Sequence, residues 1–417
     1  MIHDCAGPGN CREFAAESVA DERALERASW SGWHTTMAHN TTRLSWEQAL
    51  AWRMKRHRLV DRAAPSDLLS VVSQICGLHA QLMSTAELSL WARIEGPRRD
   101  ALQEKLWKHR TLVKLWAMRG TLHVLPSEEL GVWVSALSTY TNRGMTGHPN
   151  LDVLTEAVGR ALEGRVLTRE ELALAVEQIT GVRSLSTLVH ESWGWPLKPA
   201  SFRGRLCFAA GDGTRVRFTA PTTWIRDEIN KRDSGDALCE VTRRFLAAYA
   251  PVMIEDLARW WGVGPARGRR MLAAVGEEAV QVDVEGQPAW VLARDMREMA
   301  SAKSPNTARL LPAFDPWVIG TLIGKPTGSR CSEVLLGPGS RAHIFSPQGW
   351  VSPALLVNGR IAGVWSHARE SGRLSVKIEP FGKLPAWAGT QFHAEAERLA
   401  EFLDCKALSF TTMSPQA

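Results

Sequence analysis

Three times between residues 45 and 292, a set of amphipathic helices gives way to a short hairpin turned on glycine. Helices followed by such a hairpin describe a winged helix-turn-helix, and its tandem repetition leaves few other architectures open. In the first unit Ser45 caps a helix over 45–58, Ser66 caps a second that Gly77 ends, and further helices cover 86–94 and 100–109. Strands over 112–117 and 121–125 then flank Arg119-Gly120. The second unit has helices over 151–162 and 168–179, the latter opened by the capping box Thr168–Glu171. A basic helix over 201–209 follows, then the turn 211–214 and a wing strand over 215–219. In the third unit a long helix, 235–249, precedes helices over 252–261 and 265–275 separated by Gly262-Val263-Gly264. Pro265 at the first helical position, with Arg267, Arg269 and Arg270, suits a recognition helix. Strands over 279–284 and 289–292 close its wing.

After Pro305 the pattern turns to short strands, over 342–346, 351–357, 361–365 and 374–379, joined at Asn358-Gly359 and Ser371-Gly372. A helix over 390–403 ends the chain. The expected fold class is therefore mainly α with small β elements (α+β). It comprises three tandem winged-helix domains, 43–145, 146–232 and 233–300, plus a C-terminal antiparallel β domain, 301–417. Residues 1–42 hold few periodic signals and are expected to form a poorly ordered extension, with Met37 an alternative start.

The formal charge of +6 favours a polyanionic partner only mildly; its placement argues more. Residues 98–119 hold seven basic residues against two acids, Asp100 and Glu104, and residues 198–232 hold eight against three, Asp212, Asp227 and Glu228. Both runs fall on a helix-plus-wing pattern, although a charge run by itself is usually a solvated face. Seven scattered Cys with no Cys-x-x-Cys pair argue against a disulfide framework or structural zinc and for a reducing compartment. No stretch approaches the about 18 apolar residues of a membrane span, and no basic-then-apolar leader opens the chain. A cytoplasmic, nucleoid-associated monomer is expected, with double-stranded DNA as partner, no membrane, no metal and no cofactor.

Five stretches carry a resemblance. They are Leu44-Ser-Trp-Glu-Gln-Ala-Leu-Ala-Trp-Arg-Met54, Gly77-Leu-His-Ala-Gln81, Met118-Arg-Gly-Thr-Leu-His123, Leu310-Leu-Pro-Ala-Phe-Asp-Pro316 and Pro347-Gln-Gly-Trp-Val-Ser-Pro353. In that order they are similar to the AlkZ-like (YcaQ-type) bacterial DNA glycosylases, over residues 44–403. The resemblance implies three winged helices, a C-terminal β domain, and a catalytic loop of the form Gln-x-Gln or Gln-x-Asp. Here the loop reads His79-Ala80-Gln81, a His-x-Gln variant that keeps the second Gln as Gln81 and has His79 at the first position. It also implies a hairpin, here Gln348 to Trp350, that probes the minor groove.

The chemistry fits these residue types. Alkylation at N7 of guanine makes the base a good leaving group, so the difficulty moves to an oxocarbenium-like sugar. Gln81 can orient water, and a neutral His79 can take its proton. Asp315 is a remoter candidate for stabilising the sugar cation, since Asp before Pro is also a common turn starter. His123 can face the lesion cleft or be a satisfied half-buried histidine; Trp350 can wedge or simply pack. Arg119, Arg203, Arg205, Arg267, Arg269 and Arg270 are the candidate phosphate contacts, with His123, Gln348 and Trp350 as further DNA contacts. The function expected is a monofunctional glycosylase hydrolysing the N-glycosidic bond of alkylated, bulky or crosslinked nucleotides, in base excision repair or genotoxin self-resistance. The competing reading is a non-catalytic winged-helix DNA-binding protein, a regulator or lesion sensor, in which His79-Ala80-Gln81 is only a helix cap.

Overall fold

The computed structural model describes residues 42–140, 150–191, 194–212, 215–322, 334–336 and 340–413. The expected N-terminal extension, short of Thr42, lies outside the described residues, as do Gly213 and Thr214 of the second wing's turn.

β1 (Arg43–Leu44) leads into α1 (Trp46–Arg56), which Ser45 caps as expected. Ser45 Oγ accepts from the Gln48 amide at 3.2 Å, and Gln48 Oε1 accepts from the Ser45 amide at 2.9 Å. α2 (Leu68–Gln74), β2 (Leu78–His79) and α3 (Met83–Trp91) follow. The regular helix expected over 100–109 is a short turn, Ala101–Gln103, running into a wide π-helical stretch, Glu104–Lys108. β3 (Leu112–Trp116) and β4 (Leu122–Pro126) form the first wing, and α4 (Leu130–Leu137) leaves it.

The second unit comprises α5 (Leu151–Leu162), β5 (Val166–Thr168), α6 (Arg169–Thr180), α7 (Arg183–Glu191), α8 (Lys198–Phe202), β6 (Cys207–Asp212) and β7 (Arg215–Thr219). The Thr168–Glu171 capping box forms. The basic helix expected over 201–209 is a correction: α8 ends at Phe202 and Cys207 opens a strand. Cys207, Phe208 and Ala209 pair with β7, so tertiary pairing overrides their local pattern.

The third unit comprises α9 (Ser234–Tyr249), α10 (Ile254–Trp261), α11 (Pro265–Ala274), β8 (Ala279–Val284) and β9 (Gln287–Leu292). Gly262 ends α10 at φ +85°, where a non-glycine residue would be strained. The C-terminal domain adds β10 (Ala308–Leu311), α12 (Pro316–Leu322), β11 (Ala354–Val357), β12 (Arg360–Glu370), β13 (Arg373–Pro380), α13 (Ala386–Phe402) and β14 (Ala407–Thr412). The strand expected over 342–346 is a helical turn, Arg341–Ile344.

Three sheets organise these elements. The first two units share one six-stranded sheet, β2-β4-β3-β6-β7-β5, joined where Lys114 of β3 meets Phe208 of β6. The third wing is widened by β1, which pairs in parallel with β8. The C-terminal sheet runs β10-β11-β12-β13-β14, antiparallel except for its last pair, β13 and β14, which is parallel. Trp46, Trp52, Trp91, Trp133, Trp261 and Trp317 are among the largest fully buried side chains, so many of the eighteen tryptophans fill cores. α1 packs its Trp46, Leu50 and Trp52 with the third wing and the C-terminal domain. This helix therefore packs against elements from much later in the chain.

Candidate active site

The His79-Ala80-Gln81 loop is placed by a glycine. Gly77, at φ +92°, lets β2 turn onto β4; a Cβ there would stand 2.5 Å from Leu125 Cδ2 and 3.0 Å from the Val124 carbonyl oxygen. His79 then pairs directly with His123, and the Ala80 amide donates to the Leu122 carbonyl at 2.8 Å. β2 ends at His79; Ala80 is buried beyond it, and the chain bends at Gln81. His79 and Gln81 are not equally open. His79 is 6% exposed, whereas Gln81 is exposed and its carboxamide makes no hydrogen bond among the described residues.

His79 stacks on Phe314, with ring centroids 5.1 Å apart and planes 13° from parallel. Its edge meets His123 at 5.6 Å. The Nδ1 atom of His79 is buried without a hydrogen-bond partner. His123 differs: its Nδ1 lies 3.0 Å from the Thr121 carbonyl, which can only accept, so that nitrogen carries the proton. Burial, then Arg119, then Lys114 push the pKa of His79 down to about 3. Burial, then Arg119 and His79, hold His123 well below the usual histidine range. Both imidazoles are neutral at pH 7.

Arg119 occupies a left-handed position, φ 58°, at the tip of the first wing. It was expected to reach a phosphate. Instead its side chain turns inward: Nη1 donates to the Trp260 carbonyl at 2.7 Å, and its amide donates to the Tyr140 hydroxyl at 3.3 Å. Gly262 closes over it, a Cβ there coming within 3.1 Å of Arg119 Cα. The turn of the third helix-turn-helix thus covers the first wing's tip. Between them lies a small cavity lined by His79, His123, Arg119, Tyr249, Trp260 and Gly320, among others. It has room for about one water-sized molecule. The Tyr249 hydroxyl reaches the Ile75 and Pro316 carbonyls at 3.2 and 3.4 Å.

Asp315, a candidate for facing the sugar cation, is a correction. It is completely buried, and its two oxygens each accept from Arg93 at 2.7 Å while Oδ1 also accepts from the Trp317 amide at 2.9 Å. A carboxylate matched in this way is a structural counter-ion. Phe314 and Tyr249 were not foreseen in the site. Phe314 sits inside a quoted motif, and the chain's two tyrosines, Tyr140 and Tyr249, both border Arg119 or its cavity, so tyrosine scarcity was an unused signal.

Comparison with known proteins bears on the family and the fold. The family model "DNA glycosylase AlkZ-like" matches residues 72–402. The "Interstrand DNA cross-link repair glycosylase" of Streptomyces sahachiroi is 34% identical over 333 residues, 77% of this chain and 87% of that protein. The solved structure of "Streptomyces sahachiroi DNA glycosylase AlkZ" superposes with a TM-score of 0.78 at 32% identity, covering 89% of this chain and all of that one. The chain belongs to the AlkZ-like DNA glycosylase family.

In this glycosylase the remaining candidate DNA contacts are scattered. Arg269 and Arg270 project from α11 and are exposed. Arg267 is half-buried and donates to the Thr139 carbonyl. Arg203 and Arg205 pair with Asp152 and Glu156 of α5, at 2.6 and 2.9 Å. Such surface pairs contribute little to stability. Gln348 and Trp350 lie on a tight turn closed by the Phe345–Val351 bridge; Gln348 is exposed and Trp350 is 45% exposed. Trp350 meets Phe314 edge-on at 5.1 Å, which links the hairpin to the His79 stack. Among the described residues no helix is long and apolar enough to cross a membrane, and no group of three or more metal-ligating side chains gathers.

Proposed function

We propose that this enzyme is a monofunctional glycosylase that hydrolyses the N-glycosidic bond of N7-alkylated guanine in duplex DNA, bulky and crosslinked adducts included. The observation that carries the reading is the exposed carboxamide of Gln81, free of hydrogen bonds among the described residues, two residues along the chain from a neutral, clamped imidazole that β-pairing with β4 pins in place. Gln81 orients a water toward C1′ of the deoxyribose. As the C1′–N9 bond breaks, its electron pair neutralises the cationic base, and water adds to the oxocarbenium-like carbon. The adding water becomes a strongly acidic oxonium, so even an imidazole of low basicity takes its proton. A neutral His79 also avoids opposing a cationic sugar, which a protonated one would do.

Two features support tolerance of large lesions. The cavity beside His79 is far too small for a purine, so adduct bulk is not limited by its walls. The S. sahachiroi relative, by its name, acts on interstrand crosslinks. Arg269, Arg270 and Gln348 contact the DNA, and Trp350 stacks beside the lesion.

The test is excision from duplexes carrying N7-methylguanine or an N7-linked crosslink. An abasic product that disappears in Gln81→Ala supports the reading. Borohydride trapping of a covalent protein–DNA adduct would overturn the monofunctional step. Sequence-specific binding of undamaged DNA without product would instead identify a regulator.

A further inference from the structure

The ring of His79 has an unusual means of support. Catalytic and metal-binding histidines commonly have one ring nitrogen tied to a carbonyl or carboxylate, which fixes the plane. His123 has such a tie at Thr121; His79 has none, since its Nδ1 is buried without a partner. What holds its plane is Phe314, which arrives from the far end of the chain, between β10 and α12, and lies nearly parallel to the imidazole.

Phe314 is itself held against its own preference. Its φ of +57° lies in the left-handed region, which a bulky L-residue adopts only when its surroundings over-determine it. The determination comes from the next residue. Asp315 is locked by Arg93 of the first unit through two charge-assisted hydrogen bonds of 2.7 Å, both side chains being fully buried. Arg93 Nη1 also donates to the Ser89 carbonyl at 2.8 Å. On the outer side the half-exposed Trp350 braces Phe314 edge-on.

We infer that Phe314 is a positioning residue for His79, and that the Arg93–Asp315 pair exists to hold Phe314 in the left-handed conformation that makes the stack. The inference rests on the reading of His79 as the base. Phe314 covers one face of the imidazole and keeps water from it, leaving the ring's free edge directed toward the reacting water. The charged groups felt by His79 are Arg119 and Lys114, with neutral His123 edge-on, while Asp315 is engaged by Arg93. Removing Phe314 therefore does two things: it frees the ring plane and admits water that raises the imidazole's basicity.

The experiment compares Phe314→Ala, Phe314→Gly and Phe314→Tyr, each in wild-type and His79→Ala backgrounds. Glycine suits the left-handed backbone, so that variant separates loss of the ring from loss of the fold, as checked by thermal melting. Single-turnover excision is expected to fall by about 10–100-fold in the Ala and Gly variants and to return in the Tyr variant. Affinity for an abasic-product duplex should stay within about twofold, and the NMR-titrated pKa of His79 should climb toward the ordinary value of about 6.5. In the His79→Ala background the loss should vanish. An equal loss in both backgrounds, or a full rate in Phe314→Ala, overturns the inference. Full excision by His79→Ala overturns the base assignment instead, and the titration then still decides whether Phe314 holds the ring: an unshifted pKa in Phe314→Ala means it does not.

Discussion

Acidification discriminates sharply between a sheltered and an ordinary His79. A histidine with a pKa of about 6.5 is roughly 97% protonated at about pH 5, whereas one near 3 is only about 1% protonated. If neutral His79 takes the proton of the attacking water, the sheltered ring keeps about 99% of its working form at that pH and the ordinary one about 3%. The two cases differ by about 30-fold. The second-order rate of excision at subsaturating enzyme reports the free enzyme's ionisations and is the quantity to measure. Duplexes containing N7-methylguanine, quenched and cleaved at the abasic product with alkali, give it directly once spontaneous depurination is subtracted. Near-constant rates between about pH 7.5 and 5 are expected. A fall of 10-fold or more with a midpoint near 6.5 would refute the burial argument, because it would mean that water reaches the ring freely.

The same shift makes folding pH-dependent. The unfolded histidine binds a proton first, so its contribution is fully present above about pH 6.5 and is lost as pH falls toward 3, about 2 kcal/mol by pH 5. Urea denaturation should show His79→Gln losing that much less between pH 8 and 5, and an unchanged pH dependence would count against it. Asp315→Ala strands a buried guanidinium and should cost about 3–5 kcal/mol, with much of it recovered when Arg93→Met is added; no recovery would mean the pair is not the cause. Arg269→Gln with Arg270→Gln should make the salt dependence of DNA binding shallower by about 2 in log–log slope, and an unaltered slope would place α11 away from the phosphates. Gly77→Ala should drive β2 off β4 and cut excision by up to about 100-fold at retained DNA affinity, which a normal rate would contradict.

The helix signals were legible because caps and periodicity are local. The Ser45 box, the Thr168–Glu171 box and the Pro265 start appear where the residues put them, and so does the helix pair around Gly262. Cys207–Ala209 form a strand because they pair with β7 in a hairpin, and residues 341–344, expected as part of a strand, close a short helical turn instead. β10, α12 and β14 were missed since short segments carry little periodic information. In the site, the His79-Ala80-Gln81 stretch could be found from its motif, and its neighbourhood with His123 follows from β-pairing. The reversal of Arg119 from surface to interior could not be read, because it depends on Gly262, 143 positions later, folding over it. Asp315 looked chemically suitable, but only coordinates reveal that Arg93 already neutralises it.

The edge-to-edge union of the first two wings through Lys114 and Phe208 has a mechanical corollary. A hydrogen-bonded junction resists hinging of one hairpin against the other. The two are expected to move together rather than to sweep independently around a lesion. The conformational work of engagement is then expected to fall on the nucleic acid, bending or opening to meet a surface that moves as one piece. Damage that has already softened the duplex would be met at the lowest deformation energy.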